Sequence, residues 1–450
     1  MIEYGGTMTK NMLKYLIVGN SAGGIGAVEG IRTIDKQGTI GIISDEPYQT
    51  YSRPLISHYL AEPCPIEKLL YRSADFYEKN GITTFLGKKV KKIDCRHHSV
   101  LLNTGEKILW GKLLLATGGS PIIPKIKGVP QQGVFTFTTL DDAIAIDQYL
   151  NKLPQDNISA VVVGGGLIGV SVTEALAKRG VCVSIVEMRE RILNTILDEH
   201  ASAIAAKALQ QAGVDIITGS TVNEVKNVRD NTLSAVLGSN REILCNLVVL
   251  AIGVIPRVEL ATDAGIKVNR GIVVNKNMVS SSPDIYACGD TSEAYDFIYD
   301  ECRLTPIWPN AYIGGKVAGL NMAGSSAEYP GGTALNSLPY FGLDITSAGI
   351  INPGNSSFEI IENLSNNNYR KIILKDGLIK GMIFTGMVDR SGIIYHLMKD
   401  RINTESFKKE LIADDFGMAS LPEEVWRSRL KIQAPETNTN KCTASAGEIR

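Results

Sequence analysis

The feature that most constrains this chain is a unit that occurs twice. Residues 14–18 (Lys-Tyr-Leu-Ile-Val) form a short, strand-like apolar run. A glycine turn follows, Gly19-Asn20-Ser21-Ala22-Gly23-Gly24, then a helical stretch to about Asp35. A second apolar run, residues 39–43, ends in Ser44-Asp45-Glu46. The same order returns 145 residues later. Residues 160–163 lead into Gly164-Gly165-Gly166-Leu167-Ile168-Gly169, a helical stretch runs to about Lys178, and residues 181–186 end at Glu187. Each copy reads strand, glycine turn, helix, strand, acid, which is the βαβ unit that binds a dinucleotide.

Each position has a physical reason. The first glycine lets the chain turn sharply out of the strand. A small second residue lets backbone approach a pyrophosphate, and the third glycine lets helix and strand pack closely. The free N–H groups of the helix start then face the phosphates. The acid after the second strand accepts hydrogen bonds from a ribose. Asp45 lies 21 residues after Gly24 and Glu187 lies 18 after Gly169, both near the usual spacing of about 20. The first copy departs at one point, with Ser21 at the second glycine position. Two sites imply two different dinucleotides. Glu187 favours NADH over NADPH, because a carboxylate repels a 2′-phosphate. Arg189 and Arg191, just beyond, read as solvated loop charge.

Composition narrows the class further. The 450 residues are 44% apolar and 21% charged, a globular chain of about three domains at roughly 150 residues each. Lys and Arg total 46 against 47 Asp and Glu, so no basic excess exists to hold nucleic acid or an anionic membrane. The seven cysteines, Cys64, Cys95, Cys182, Cys245, Cys288, Cys302 and Cys442, form no C-x-x-C, and none stands near a histidine at metal-ligand spacing. No metal is expected. Residues 1–11 lack the apolar stretch of a signal peptide, and the longest apolar run, residues 247–255, is far short of a membrane span. The expected setting is the reducing cytoplasm.

Three further segments are specific. Residues 113–121 (Leu-Leu-Leu-Ala-Thr-Gly-Gly-Ser-Pro) read as a strand ending in a glycine turn, and residues 248–256 (Val-Val-Leu-Ala-Ile-Gly-Val-Ile-Pro) repeat it. Residues 285–290 (Ile-Tyr-Ala-Cys-Gly-Asp) end a strand in Gly-Asp. With the two fingerprints, in this order, residues 14–324 resemble the FAD-dependent pyridine nucleotide-disulfide oxidoreductase superfamily. The resemblance implies an α/β fold: two Rossmann-like dinucleotide-binding domains, glutathione reductase-like, with a small α+β C-terminal interface domain. It implies FAD and NAD(H) as cofactors. Gly19, Ser21, Ala22, Gly23 and Gly24 would bind the ADP half of FAD, with Asp45 and Glu46 at the ribose. Val90 would offer backbone to the adenine. Ala116, Thr117 and Gly118 would line the FAD chain, and Gly289 and Asp290 would hold its ribityl and pyrophosphate region. Gly164, Gly166, Leu167, Ile168 and Gly169 would bind the NADH pyrophosphate, Glu187 its ribose, and Gly253 would lie along the nicotinamide side.

The superfamily subdivides by electron acceptor. One branch carries a C-x4-C pair soon after the first fingerprint, and another a single redox cysteine there. This chain has Tyr51-Ser52-Arg53-Pro54-Leu55-Ile56-Ser57-His58, and its nearest cysteine, Cys64, stands between two prolines. That segment resembles the ferredoxin and rubredoxin reductases and the flavin module of NADH-dependent nitrite reductases, which have no redox-active disulfide. Arg53 and Trp308 would then be flavin-proximal, and no catalytic residue is assigned with certainty. The implied function is an NADH-dependent flavoprotein reductase passing electrons to rubredoxin, ferredoxin or an iron–sulfur subunit. An NADH oxidase using O2 and an FAD-holding regulatory scaffold stand as alternatives. Two departures from relatives are Ser171, where a Glu is usual, and Thr138, where some carry Arg.

The expected organisation is an FAD-binding domain of residues 1–120 and 246–325, interrupted by an NAD-binding domain of residues 121–245. A C-terminal interface domain, residues 326–432, would pack near the flavin or form a homodimer contact. Within it, residues 369–374 and 380–384 around Asp376-Gly377 predict a hairpin, and residues 389–400 and 404–411 predict helices. Residues 433–450 turn polar and predict a disordered tail.

Overall fold

The computed structural model describes residues 12–430, apart from 155, 230 and 366–367; the polar tail lies outside the described residues. The first fingerprint builds the parallel part of a seven-stranded sheet, to which Ser99–Leu102 and Val90–Asp94 add antiparallel. Met12–Val18 pairs on one side with Ile40–Ser44 and on the other with Lys107–Leu115, and Ile285–Ala287 pairs with Lys107–Leu115 from far along the chain. The C-terminal halves of Met12–Val18 and Lys107–Leu115 are buried on both faces and are therefore nearly continuous apolar runs. Leu16, Ile17, Ile42, Leu113 and Leu114 are fully enclosed. The second fingerprint builds a second parallel sheet from Ser159–Val163, Cys182–Val186, Asp215–Ile217, Leu247–Leu250 and Val134–Thr136. This is the α/β architecture with two Rossmann-like halves.

The expected return to the first unit at residue 246 comes later. Leu247–Leu250 pairs in parallel with Ser159–Val163 and Val134–Thr136, so it belongs to the second sheet. It occupies there the place that Lys107–Leu115 holds in the first. The reason lies in the repeat itself: each of the two equivalent strands pairs in parallel with the first strand of its own fingerprint. The crossing is made by a ribbon in which Val254–Pro256 pairs antiparallel with Gly119–Pro121. The two copies of the Ala-x-Gly-x-x-Pro turn thus face each other between the sheets.

After the helix Trp308–Met322, a five-stranded antiparallel sheet begins at Leu335. Its hairpin, Asn368–Lys375 and Leu378–Thr385, turns at Asp376 and Gly377, both with positive φ (54° and 72°), the two-residue turn that suits the twist of paired strands. The helix expected over residues 389–400 is Ser391–Lys399. The one expected over 404–411 does not form. Only a short 3-10 turn, Glu410–Ile412, is present, and the Thr404 hydroxyl instead bonds the Gly377 carbonyl at 2.9 Å. That side-chain bond to the hairpin turn competes with helix formation.

Candidate functional site

At the first glycine turn, Gly19 has φ of 123°, and a Cβ there would stand 2.0 Å from the Ala116 carbonyl oxygen. A Cβ on Gly24 would stand 2.1 Å from the Gly19 oxygen. Only glycine permits either approach. Ser21 is the N-cap of the helix Ala22–Ile34, yet its side chain caps nothing. The first-turn N–H groups are therefore left for an anion. Gly23 lies over the Cys288 sulfur, and a Cβ would come within 2.8 Å of it.

The far side of this turn is one bonded node. The Thr117 hydroxyl donates to the Arg257 carbonyl at 2.8 Å and the Thr291 hydroxyl donates to it at 2.9 Å. The Arg257 N–H donates to the Gly118 carbonyl, also at 2.9 Å. Gly118 and Gly289 both have positive φ, 67° and 74°. Asp290, next in line, sits in the 3-10 turn Gly289–Thr291. Burial pushes its carboxyl above the ordinary value, and the Arg53 charge opposes that shift. No side chain among the described residues hydrogen-bonds it. Val90 is buried at the start of Val90–Asp94, paired with Leu102.

Arg257 escaped the sequence reading. Its guanidinium reaches the Asp45 carboxylate at 2.9 Å and the Ser120 hydroxyl at 2.8 Å. The signal was there: Arg257 directly follows the second Ala-x-Gly-x-x-Pro segment, which the crossing ribbon brings across to the first. Strand register also aligns Ser44, not Asp45, with Glu187, since Val18 pairs with Ile43 as Val163 pairs with Val186. Glu46 is engaged elsewhere. It forms an ion pair with Arg53 and accepts the Tyr51 hydroxyl at 2.5 Å. Arg53 also donates to the Thr138 carbonyl at 2.9 Å, and the Leu140 N–H donates to the Tyr51 oxygen at 3.1 Å. This network ties the Arg53 turn to the start of the helix Leu140–Leu150. Trp308, at the start of its helix, packs edge-on against Tyr71 with ring centres 5.1 Å apart.

The second glycine turn repeats the first. Gly164 has φ of 110°, and a Cβ on Gly169 would stand 1.9 Å from the Gly164 oxygen. Gly166, the N-cap of Leu167–Lys178, has no side chain to cap with and has open space where a Cβ would go. Leu167 and Ile168, the first helical residues, are half-buried. Glu187 is buried, and its carboxylate accepts the Gly165 N–H at 2.7 Å and the Arg189 N–H at 2.8 Å. Gly253 has φ of 115°, and its carbonyl accepts the Ile122 N–H at 3.0 Å. Arg189 is exposed as expected. Arg191 is not plainly solvated: it is half-buried, and its Nε is enclosed without a protein partner.

Both turns fit a dinucleotide by this geometry: uncapped helix starts, glycine backbones in contact, and at the first site a half-buried carboxyl that no described side chain hydrogen-bonds. The class defined is a flavoprotein fold with two dinucleotide sites. Residues 13–312 match the family described as pyridine nucleotide-disulphide oxidoreductase, and residues 335–402 match the rubredoxin NAD+ reductase C-terminal domain. The chain belongs to the pyridine nucleotide-disulphide oxidoreductase family; it is an oxidoreductase whose cofactors are FAD and NAD(H). It is 30% identical over 376 residues to the NADH-rubredoxin oxidoreductase of Clostridium acetobutylicum, covering 83% of this chain and 91% of that protein. It is 31% identical over 404 residues to the assimilatory nitrate reductase electron transfer subunit of Bacillus subtilis, covering 89% of this chain. The chain spans about half the length of that relative, 51%. A solved ferredoxin reductase from Rhodopseudomonas palustris shares the fold, with a TM-score of 0.80 at 22% identity over 90% of this chain and 98% of that one.

Proposed function

We propose that this protein is an NADH-dependent reductase that passes electrons through FAD to a one-electron protein carrier: rubredoxin, ferredoxin or an iron–sulfur subunit. One observation carries the choice of acceptor. Where a thiol relay would stand, the chain has Arg53 and Pro54 in a 3-10 turn, followed by the short helix Ile56–Ala61. Cys64 lies beyond that helix in a loop, and Cys288 is fully buried, its thiol pushed up to about 12 by burial. A buried thiol of that kind is inert. FAD, when bound, accepts a hydride and can give up electrons singly.

The chain's own residues orient and shield. The first-turn N–H groups after Ser21 and after Gly166 take the two pyrophosphates. Asp45 and Glu187 stand at the two ribose ends, the latter favouring NADH. Arg53, held by Glu46 and the Thr138 carbonyl, is a fixed positive charge that favours the ionised form of the Asp290 carboxyl. Hydride transfer needs no general base, and none is assigned. The domain reading, an FAD domain interrupted by the NAD domain and followed by an interface domain, goes with this function, as do a cytoplasmic setting and a possible homodimer.

Anaerobic stopped-flow tests the reading. NADH should bleach the flavin, and rubredoxin or ferredoxin should then restore its colour much faster than O2 does. Faster reoxidation by O2 would favour the NADH oxidase alternative. No bleaching at all would leave the scaffold.

A further inference from the structure

The C-terminal sheet reaches back to the second dinucleotide turn. Its first hairpin, Leu335–Tyr340 and Leu343–Gly349, pairs Tyr340 opposite Leu343, so its loop is only Phe341-Gly342. Both loop residues have positive φ, 49° and 78°. Asn-Gly is the favoured sequence there, and a bulky aromatic at the first position is disfavoured. Phe341 is nonetheless held, because the tip is bonded to the helix Leu167–Lys178. The Tyr340 hydroxyl donates to the Leu167 carbonyl at 3.2 Å and lies 3.0 Å from the Ser171 hydroxyl. The phenol has one proton, given to Leu167, so Ser171 donates to the phenol oxygen. The Phe341 N–H donates to the Glu174 carboxylate at 3.1 Å, which also pairs with Lys178 at 3.1 Å. Leu167, Ser171 and Glu174 follow one another along a single helix face. Tyr340 itself is buried among side chains of both domains.

Leu167 is the first residue of the helix whose N-cap is Gly166. The direction of the first-turn N–H groups depends on how that turn is held, and Gly166 gives it no cap. We infer that Tyr340 is a positioning residue for NADH: its hydroxyl, bonded to Leu167 and Ser171, fixes the turn that presents donors to the pyrophosphate. This rests on the reading of the second fingerprint as the NADH site. It makes the C-terminal domain part of that site. Nucleotide binding and hairpin docking are then linked in both directions.

The test uses the FAD-loaded protein and NAD+, which binds without turnover. Calorimetric titration compares wild type, Tyr340→Phe, Ser171→Ala and the double variant, alongside steady-state NADH kinetics and deuterium exchange over residues 338–343. Tyr340→Phe keeps the buried ring and removes only the hydroxyl. Its NAD+ dissociation constant and its KM for NADH should each rise about tenfold, the worth of a hydrogen bond or two, with kcat within about twofold. Ser171→Ala should act in the same direction, and the double variant should be no weaker than Tyr340→Phe. NAD+ should slow exchange over 338–343 in wild type and not in Tyr340→Phe. A Tyr340→Phe protein that binds NAD+ like wild type overturns this inference alone, as does an unchanged exchange pattern in a wild type that binds NAD+. A wild type that binds no NAD+ overturns the NADH reading and this inference with it.

Discussion

The two fingerprint helices start alike and are housed differently. The helix Ala22–Ile34 lies flat against Trp308–Met322, and backbone meets backbone along the contact. A Cβ on Gly26 would stand 2.3 Å from the Tyr312 carbonyl oxygen, and one on Gly315 would stand 1.9 Å from that of Gly23. Gly30 and Gly319 repeat the approach one turn further on. Among the described residues, the helix Leu167–Lys178 has no such partner. Its start is open at Gly166, and its neighbours are the short helix Ile56–Ala61 and the tip of the C-terminal hairpin. The acids differ in the same sense. Asp45 is ion-paired with Arg257, whereas among the described residues the Glu187 carboxylate is held by backbone N–H groups. The first turn is built into a core, which agrees with the proposal that it holds the group kept through every turnover. The second is open at Gly166, which agrees with the proposal that it holds the nucleotide that must leave.

The largest effect should come from breaking that packing. Gly315→Ala places a methyl group against the Gly23 carbonyl, with rigid backbone on both sides. Overpacking of this kind costs about 1–3 kcal/mol or more. Bound flavin, read from the ratio of visible to ultraviolet absorbance, should fall severely, and the melting temperature with it. Gly166→Ala adds the same methyl to open space, so flavin content and melting temperature should hold while NADH binding weakens. Equal flavin loss in both variants would erase the contrast between the two turns.

Nucleotide choice sharpens it next. Glu187→Arg should move kcat/KM from NADH toward NADPH by about tenfold, the equivalent of about 1.4 kcal/mol. Equal use of both nucleotides by the wild type would count against Glu187 as the discriminator. The enclosed Nε of Arg191 would then be the next group to remove.

Asp290 gives a smaller effect, visible without any nucleotide. Burial holds its folded-state pKa above the unfolded value. The cost of keeping it ionised is therefore absent below the unfolded pKa of about 4. It appears as pH rises through the folded value. In flavin-free protein, Asp290→Asn should melt a few degrees higher than wild type near neutrality and like wild type in acid, while binding FAD more weakly. A variant that melts lower at neutral pH would show the carboxylate to be stabilising.

The smallest effect belongs to the thiols. Cys64→Ser and Cys302→Ser, singly or together, should leave NADH-dependent reduction of a one-electron acceptor within a few-fold of wild type. Reductive titration should consume two electrons per flavin. Four electrons, or loss of turnover by orders of magnitude in Cys64→Ser, would reveal a thiol relay.

The sequence by itself determined the two glycine turns. A glycine turn between a strand and a helix is a local device, fixed by which residues can tolerate positive φ and the close approach of backbone. Gly19, Gly24, Gly164 and Gly169 could therefore be read in isolation. The hairpin at Asp376-Gly377 was legible for the same reason. The tertiary structure decided what local rules do not encode. Leu247–Leu250 could have completed either sheet, and only pairing assigned it. Gly26, Gly30, Gly315 and Gly319 stand at helical spacing in the sequence, yet nothing local says that the two helices meet. Residues 404–411 gave up a helix for a side-chain bond to a distant turn. Arg257 reaches the acid after the second strand, Asp45, from 212 residues away, and Tyr340 reaches the second glycine turn at Leu167 from 173. Their roles depend on distances that chain connectivity leaves free, and only folding brings those side chains within bonding range.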